Sequence, residues 1–197
     1  MIVFNKNIKS EPQKELIKLY HIAKKNNQRN IEAASLSTIS SDNKPHCRFI
    51  NIKYVNENEF IFFSNYNSSK ARHINFNKNI ALTFFWNLAN IQIRIEGEIE
   101  KLDEKRSDIH WLTRSVEKNA LAFSSDQSKE IASFKEVKQN YDNVLNNEDL
   151  TKRPKYWGGY VVVPHYFEFW EGSDLRLNKR KVYFKENEFW SKKLIQP

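Results

Sequence analysis

Apolar positions in this chain recur first with a helical spacing, then every second residue, then helically again, and finally every second residue. Leu16, Leu19, Tyr20 and Ala23 lie three to four apart and predict an amphipathic helix over about 11–25. Ser10-Glu11-Pro12-Gln13 in front of them reads as a capping box with proline in the first turn. From Ala33 the period falls to two. Strands are predicted at 33–39, 46–55 and 60–64, separated by the turns Ser41-Asp42-Asn43-Lys44-Pro45 and Asn56-Glu57-Asn58. A short helix follows at 69–76, then a hairpin of 80–86 with 91–102, in which Gly97 suggests a bulge. Helical spacing returns from 103 to about 121 and from about 127 to 145, where Phe134, Val137, Tyr141 and Val144 share a face. Strands are expected again at 157–163, 166–170, 181–184 and 189–194. Antiparallel hairpins on either side of a helical insertion over about 103–145 predict an α+β chain, mainly β: one domain, 1–197, built as a small barrel flanked by helices. Alternating βαβ units are not indicated.

Composition narrows the function. With 40% hydrophobic and 28% charged residues the chain of 197 can bury a core, and with Gly 4 and Pro 5 it has no flexible linker. No apolar run approaches the ~18 residues of a membrane helix, and Met1-Ile2-Val3-Phe4-Asn5-Lys6 has no apolar signal core, so a cytoplasmic protein without a membrane partner is expected. Cys47 is the sole cysteine and His21, His46, His73, His110 and His165 show no ligand spacing, so no metal is expected. Cys47 reads as a small buried strand residue; a thiol activated by Arg48 is the alternative. The net charge of +8 favours anionic partners, although its Lys and Arg are dispersed. G-x-G-x-x-G, G-x-x-x-x-G-K-[ST] and G-x-S-x-G are all missing. Any phosphate must therefore be gripped by Arg, Lys, hydroxyls and a helix start.

Five constellations could do this. Arg48 and Lys53 sit in a largely apolar strand; either one faces solvent or both need anions, and a spacing of five puts them on opposite faces unless the strand is bulged. The stretch from Phe63 through Ser64, Ser68 and Ser69 to Lys70 is a strand end entering a helix start, which is an anion site or a plain serine cap. Gln92 and Arg94 oppose the isoleucines of their strand, facing either a heterocycle or neighbouring side chains. Arg114 and Lys118 lie one helical turn apart, bridged by an anion or simply solvated. Phe169-Trp170 precedes a loop with Arg176 and Arg180, suited to stacking and phosphate forks or merely basic.

In their order along the chain, Arg48 to Lys53, Ser64, Ser68-Ser69-Lys70, Gln92, Arg114, Gln127-Ser128, Trp157-Gly158-Gly159, Phe169-Trp170 and Arg176-Leu177 to Arg180 resemble the pyridoxamine 5′-phosphate oxidase family, as does the closing Leu194-Ile195-Gln196-Pro197. The resemblance runs from about Glu11 to Pro197. It implies an FMN-binding split β-barrel, a homodimer with two FMN sites at the subunit interface, and oxidation of pyridoxamine or pyridoxine 5′-phosphate to pyridoxal 5′-phosphate, with O₂ as acceptor and H₂O₂ as product. Carried over by position, it implies FMN contacts from Arg48, Asn51, Lys53, Phe63, Ser64, Ser69, Lys70, Gln92, Gln127, Ser128, Trp170 and Arg180. Substrate would meet Lys53, His110, Arg114 and Lys118, with Arg176 and Asn178 as the catalytic pair over the reacting ring.

The chain departs from the family pattern at four of these positions. His110 stands where tyrosine is usual, Lys118 where serine is, Asn178 where histidine is, and Ser69 where arginine is frequent. Asn178 cannot accept a proton as histidine can. Trp111, Arg114-Ser115-Val116, Ala120 and Gln127-Ser128 are also similar to the flavin oxidases of phenazine biosynthesis, which act on a ring carboxylic acid. Three readings follow: a flavin oxidase of a phosphorylated small molecule or of a ring acid, a non-catalytic flavin-binding module, and, resting on the charge alone, a nucleic-acid binder. The first makes the expected partners a phosphorylated substrate and a second copy of the chain, with no nucleic acid.

Overall fold

The computed structural model describes residues 1–197 as ten strands, five α-helices and a short 3-10 helix at Asn87–Ala89. The strands are β1 (Val3–Phe4), β2 (Ala33–Ile39), β3 (Pro45–Asn51), β4 (Tyr54–Val55), β5 (Phe60–Asn65), β6 (Asn79–Trp86), β7 (Ile91–Lys101), β8 (Trp157–Glu171), β9 (Lys179–Glu186) and β10 (Phe189–Ile195). The helices are α1 (Glu11–Lys25), α2 (Ser69–Phe76), α3 (Glu104–Leu112), α4 (Val116–Ser124) and α5 (Phe134–Asn147). No helix is long and apolar enough to cross a membrane.

One sheet holds every strand, in the order β1-β4-β5-β8-β7-β6-β2-β3, with β9 on the far part of β8 and β10 on β9. All pairs are antiparallel except β1 with β4. The sheet curls until its two sides are joined by the chain itself. β3 runs into β4 through Ile52 and Lys53; the Ile52 N–H still donates to Glu32 O beside β2 (2.9 Å), while the Lys53 N–H donates to Ile61 O of β5 (2.8 Å). The barrel is therefore closed by a bend and not by a continuous ladder, which is a split barrel. Alternation along β2 and β7 sends every second residue inward. The inward residues, among them Leu36, Leu82, Phe84, Ile93, Ile95, Phe62 and Phe167, form one cluster with Leu16, Leu19, Tyr20 and Ala23 of α1.

The helix at 11–25 and the strand at 33–39 stand where the periodicity puts them, and so does the helix at 69–76. Other boundaries differ for identifiable reasons. The strand expected over 46–55 breaks where the chain changes partner from β2 to β5. The helix expected from 103 to 121 is an elbow: the Thr113 hydroxyl donates to His110 O (2.7 Å), and α4 starts afresh after Ser115. Helix α5 begins only at Phe134, with Ser133 accepting the Glu136 N–H; Gln127 and Ser128 precede it, Ser128 at φ 75°. The two strands expected at 157–163 and 166–170 are one. Pro164 is tolerated within it because a bulge lies there, with Glu96 facing Tyr166 and Gly97 facing Pro164, so the extra residue is His165 on β8. A Cβ on Gly97 would run into the Val163 carbonyl. Ser10 does not make the capping box. The Lys9 and Ser10 N–H groups are capped by the Glu57 carboxylate, and Gln13 donates to Glu57 O (2.6 Å). Cys47 is exposed on β3, not buried.

Candidate active site

The end of β5 and the start of α2 form one wall. Phe60 to Asn65 pairs with β8, which brings Phe63, Ser64 and Asn65 to the mouth of the barrel. The Asn65 side chain accepts the Asn67 N–H (2.7 Å), and Ser68 Oγ donates to Asn65 O (2.8 Å), turning the chain into α2. One residue into the helix Lys70 is buried, and its Nζ donates to Ser64 Oγ (3.1 Å), Ser68 Oγ (3.1 Å) and Gln127 Oε1 (3.0 Å). None of these acceptors is charged. Burial, with Arg48 nearby as the second cause, pulls the Lys70 ammonium down to about 8.

The bend at Lys53 and the α3–α4 elbow form the facing wall. The His110 ring stacks on Phe63, with centroids 3.7 Å apart, and its Nδ1 shares a hydrogen bond of 2.9 Å with the Tyr54 hydroxyl. Burial first, then Arg114 and Lys53, lower its pKa to about 4, so it is neutral at neutral pH. Arg114 lies over the Trp157 ring (4.5 Å) and donates through Nε to Asn119 Oδ1 (2.9 Å) and through Nη2 to Lys118 O (2.6 Å). Burial also lowers the pKa of Lys53, with Lys118 and Arg114 adding to it against Glu32.

Between the walls is a cavity of about 450 Å³. Lys53, Lys70, Arg114 and Lys118 line it together with Asn51, Phe63, Ser64, His110 and Gln127, and no carboxylate does. None of these four cations forms a salt bridge anywhere in the chain. Crowded, partly buried cations without carboxylates are costly unless an anion neutralises them. Hydroxyls and N–H donors converge on the same space, so the donor set fits a phosphate-bearing ligand.

The other expected residues fall in three places. Arg48 is behind the Lys70 wall, donating to Leu36 O (3.0 Å) and Thr38 Oγ1 (2.7 Å). The Ser69 N–H reaches Ser128 Oγ (3.5 Å), so the two serines meet at the start of α2. Gln92, Trp170 and Arg180 do not line the cavity. They are direct cross-strand partners across β7, β8 and β9 and so share one face of the sheet. Arg176 and Asn178 stand in the β8–β9 loop, also outside the cavity. Arg176 is at φ 58°, and Asn178 Oδ1 already accepts the Ser173 N–H (3.1 Å). Arg48 and Lys53 do not converge: the chain bends between β3 and β4, Lys53 lines the cavity, and Arg48 turns to Leu36 O and Thr38 Oγ1 of β2. Sequence reasoning missed the elbow residues Thr113 and Ser115 in the cavity lining, and Tyr54 beside His110. It also missed Glu168, though strand alternation beside Trp170 placed it on the Gln92 face.

A split barrel that closes through a bend is the fold of the FMN-binding split-barrel proteins. The solved structure of a pyridoxamine 5′-phosphate oxidase-related, FMN binding protein from Nostoc punctiforme PCC 73102 shares this fold, with a TM-score of 0.80 at 15% identity, over 96% of this chain and 99% of that one. Residues 24–147 match the family model for pyridoxamine 5′-phosphate oxidase, and residues 157–197 that for the pyridoxine 5′-phosphate oxidase C-terminal dimerisation region. The chain belongs to the pyridoxamine 5′-phosphate oxidase family and is an FMN-dependent oxidoreductase. It is 38% identical to a pyridoxine/pyridoxamine 5′-phosphate oxidase of Leptospira biflexa over 178 residues (89% of this chain, 84% of that one). It is also 38% identical to one of Haemophilus influenzae over 166 residues (84% and 79%). PhzG from Burkholderia lata 383, solved in complex with tetrahydrophenazine-1-carboxylic acid, superposes with a TM-score of 0.90 at 28% identity over 97% of this chain and 95% of its own.

Proposed function

We propose that this chain oxidises pyridoxamine or pyridoxine 5′-phosphate to pyridoxal 5′-phosphate, with O₂ as final acceptor and H₂O₂ as product, and that it does so as a homodimer. The observation that carries the reading is the cavity lined by four cations and no carboxylate. Two phosphate groups, one on the cofactor and one on the substrate, match that charge better than one does. Arg48, Ser64, Ser69, Lys70, Gln127 and Ser128 surround the start of α2 and would hold the FMN phosphate. Lys53, Arg114 and Lys118, with neutral His110 as a hydrogen-bonding partner, would hold that of the substrate. FMN, when bound, supplies the two-electron acceptor. The protein's part is to bind and orient: Arg176 would fix the substrate ring, and the Asn178 amide could donate to it, its oxygen being held by the loop.

Gln92, Trp170, Arg180, Arg176 and Asn178 complete the site in this reading only when a second copy brings its β7–β9 face to the cavity. The dimerisation region matched at 157–197 contains four of these five.

A second reading is supported by the 0.90 superposition on PhzG: oxidation of a ring carboxylic acid, whose carboxylate would use the same cations. Anaerobic mixing of the FMN-loaded protein with each candidate separates them. Bleaching of the yellow flavin by pyridoxamine or pyridoxine 5′-phosphate, and H₂O₂ on admitting air, is the expected result. Bleaching only by a dihydroaromatic ring acid selects the second reading, and bleaching by neither leaves a non-catalytic flavin protein.

A further inference from the structure

Outside the cavity, one charged group is almost wholly shut off from water. Glu168, in the middle of β8, is 2% exposed. Its Oε2 accepts from Arg94 Nη1 of β7 (2.8 Å), and its Oε1 accepts from both Nε (2.8 Å) and Nη2 (2.7 Å) of Arg180 on β9. Arg94 and Glu168 are direct cross-strand partners, while Arg180 sits diagonally, opposite Trp170. Arg94 continues the chain of charges to Glu96 (2.9 Å), and Arg180 Nη1 donates to the backbone oxygen of Gln196 (3.0 Å). An apolar residue at 168 would join three strands as well, and replacing a buried ion pair by apolar groups is often neutral or stabilising. The carboxylate therefore calls for a reason other than holding the sheet together.

We infer that Glu168 is a positioning residue for Arg180, locking the plane of its guanidinium so that its unused N–H groups present a fixed fork on the face shared with Trp170 and Gln92. A guanidinium has five N–H donors. Glu168 takes two of Arg180's and Gln196 takes one, which leaves two for a ligand. Arg94 has Glu96 as a second carboxylate partner, so Glu168 serves Arg180 as both counter-charge and guide. Lys70 and Arg114, by contrast, have no carboxylate partner: they offer charge, whereas Arg180 offers direction. The inference rests on the reading that Arg180 contacts FMN.

FMN titration of the apo dimer, followed by flavin fluorescence, tests both layers. Arg180→Ala is expected to weaken FMN binding. Glu168→Gln, which keeps the shape and removes the charge, is expected to weaken it on the order of tenfold, and to have no further effect in the Arg180→Ala background. That non-additivity is the signature of one residue acting through the other, and a general loss of stability would not produce it. Should Glu168→Gln fail to fold, the double change Arg94→Leu with Glu168→Leu fills the same space without buried charge and frees Arg180; weaker FMN binding is again expected. Unchanged affinity in the Glu168 variants, or additive losses, would overturn the inference while leaving Arg180 in the site. If Arg180→Ala itself binds FMN normally, the assignment of Arg180 fails, and this inference with it.

Discussion

Lys70 and His110 are the cavity-lining residues whose protonation the fold shifts furthest, and each shift has a measurable consequence. Lys70, at about 8, begins to lose its proton just above neutrality in the apo protein, and a bound phosphate favours the charged form. FMN affinity is therefore expected to fall as pH rises through about 8, and Lys70→Met is expected to bind FMN weakly and to lose that inflection; FMN titrations across this range check it. His110 works in the opposite range. Its folded pKa of about 4 lies below the ~6.5 of an unfolded histidine, so the unfolded chain takes up the proton first as pH falls. Stability is fully present above about 6.5 and is lost progressively toward 4, by about 2 kcal/mol at pH 5. Urea unfolding at neutral pH and at pH 5 is expected to show a smaller loss for His110→Tyr than for the parent chain. Lys70 was legible as a site candidate at a helix start, with a plain serine cap as the alternative, whereas His110 became one only through the family resemblance. Their shifts were not legible, because the burial, together with Lys53 beside His110 and Arg48 beside Lys70, comes from elements far away in sequence.

The elements that position these residues are held by caps and partner switches more than by propensity. α3 carries His110, and it starts from Asp103, whose side chain accepts the Arg106 N–H (2.8 Å), while the Arg106 side chain pairs with Glu59 at 2.6 Å. Asp103→Ala is expected to destabilise by ~1 kcal/mol and to lower Tm by roughly 2–4 °C, read by thermal unfolding of the apo protein. Hydrophobic periodicity located nearly every element, since period two and period 3.6 differ over even six or seven residues. It failed where one periodic run serves two partners: at Ile52–Lys53, where β3 becomes β4, and at Thr113–Ser115, where a helix turns a corner without losing its pattern. It also joined Gln127 and Ser128 to the helix that begins at Phe134. Those same breaks deliver Lys53, Arg114 and Gln127 to the cavity, so the least legible points of the fold are the ones that build the site.

At the scale of the whole molecule, the expected FMN residues form two groups that a single chain does not unite. One, with Lys70 and Ser64, belongs to the cavity at the barrel's closing bend; the other, with Gln92, Trp170 and Arg180, belongs to the β7–β9 face. No reading of spacing could assign them to one subunit or two, because strand register fixes who shares a face and not which copy faces which. A homodimer with composite sites makes a prediction that a one-chain site does not. Lys70→Met and Arg180→Ala chains are each expected to form dimers in which both sites are damaged. When the two are unfolded together, mixed and refolded, random pairing makes about half the dimers hybrid, each with one site carrying both changes and one carrying neither. FMN binding and substrate-dependent bleaching should then recover to about one quarter of the wild-type site count. If Lys70 and Arg180 serve the same site from the same chain, every site in the mixture carries a change and no recovery is seen; flavin titration of the refolded mixture distinguishes the two.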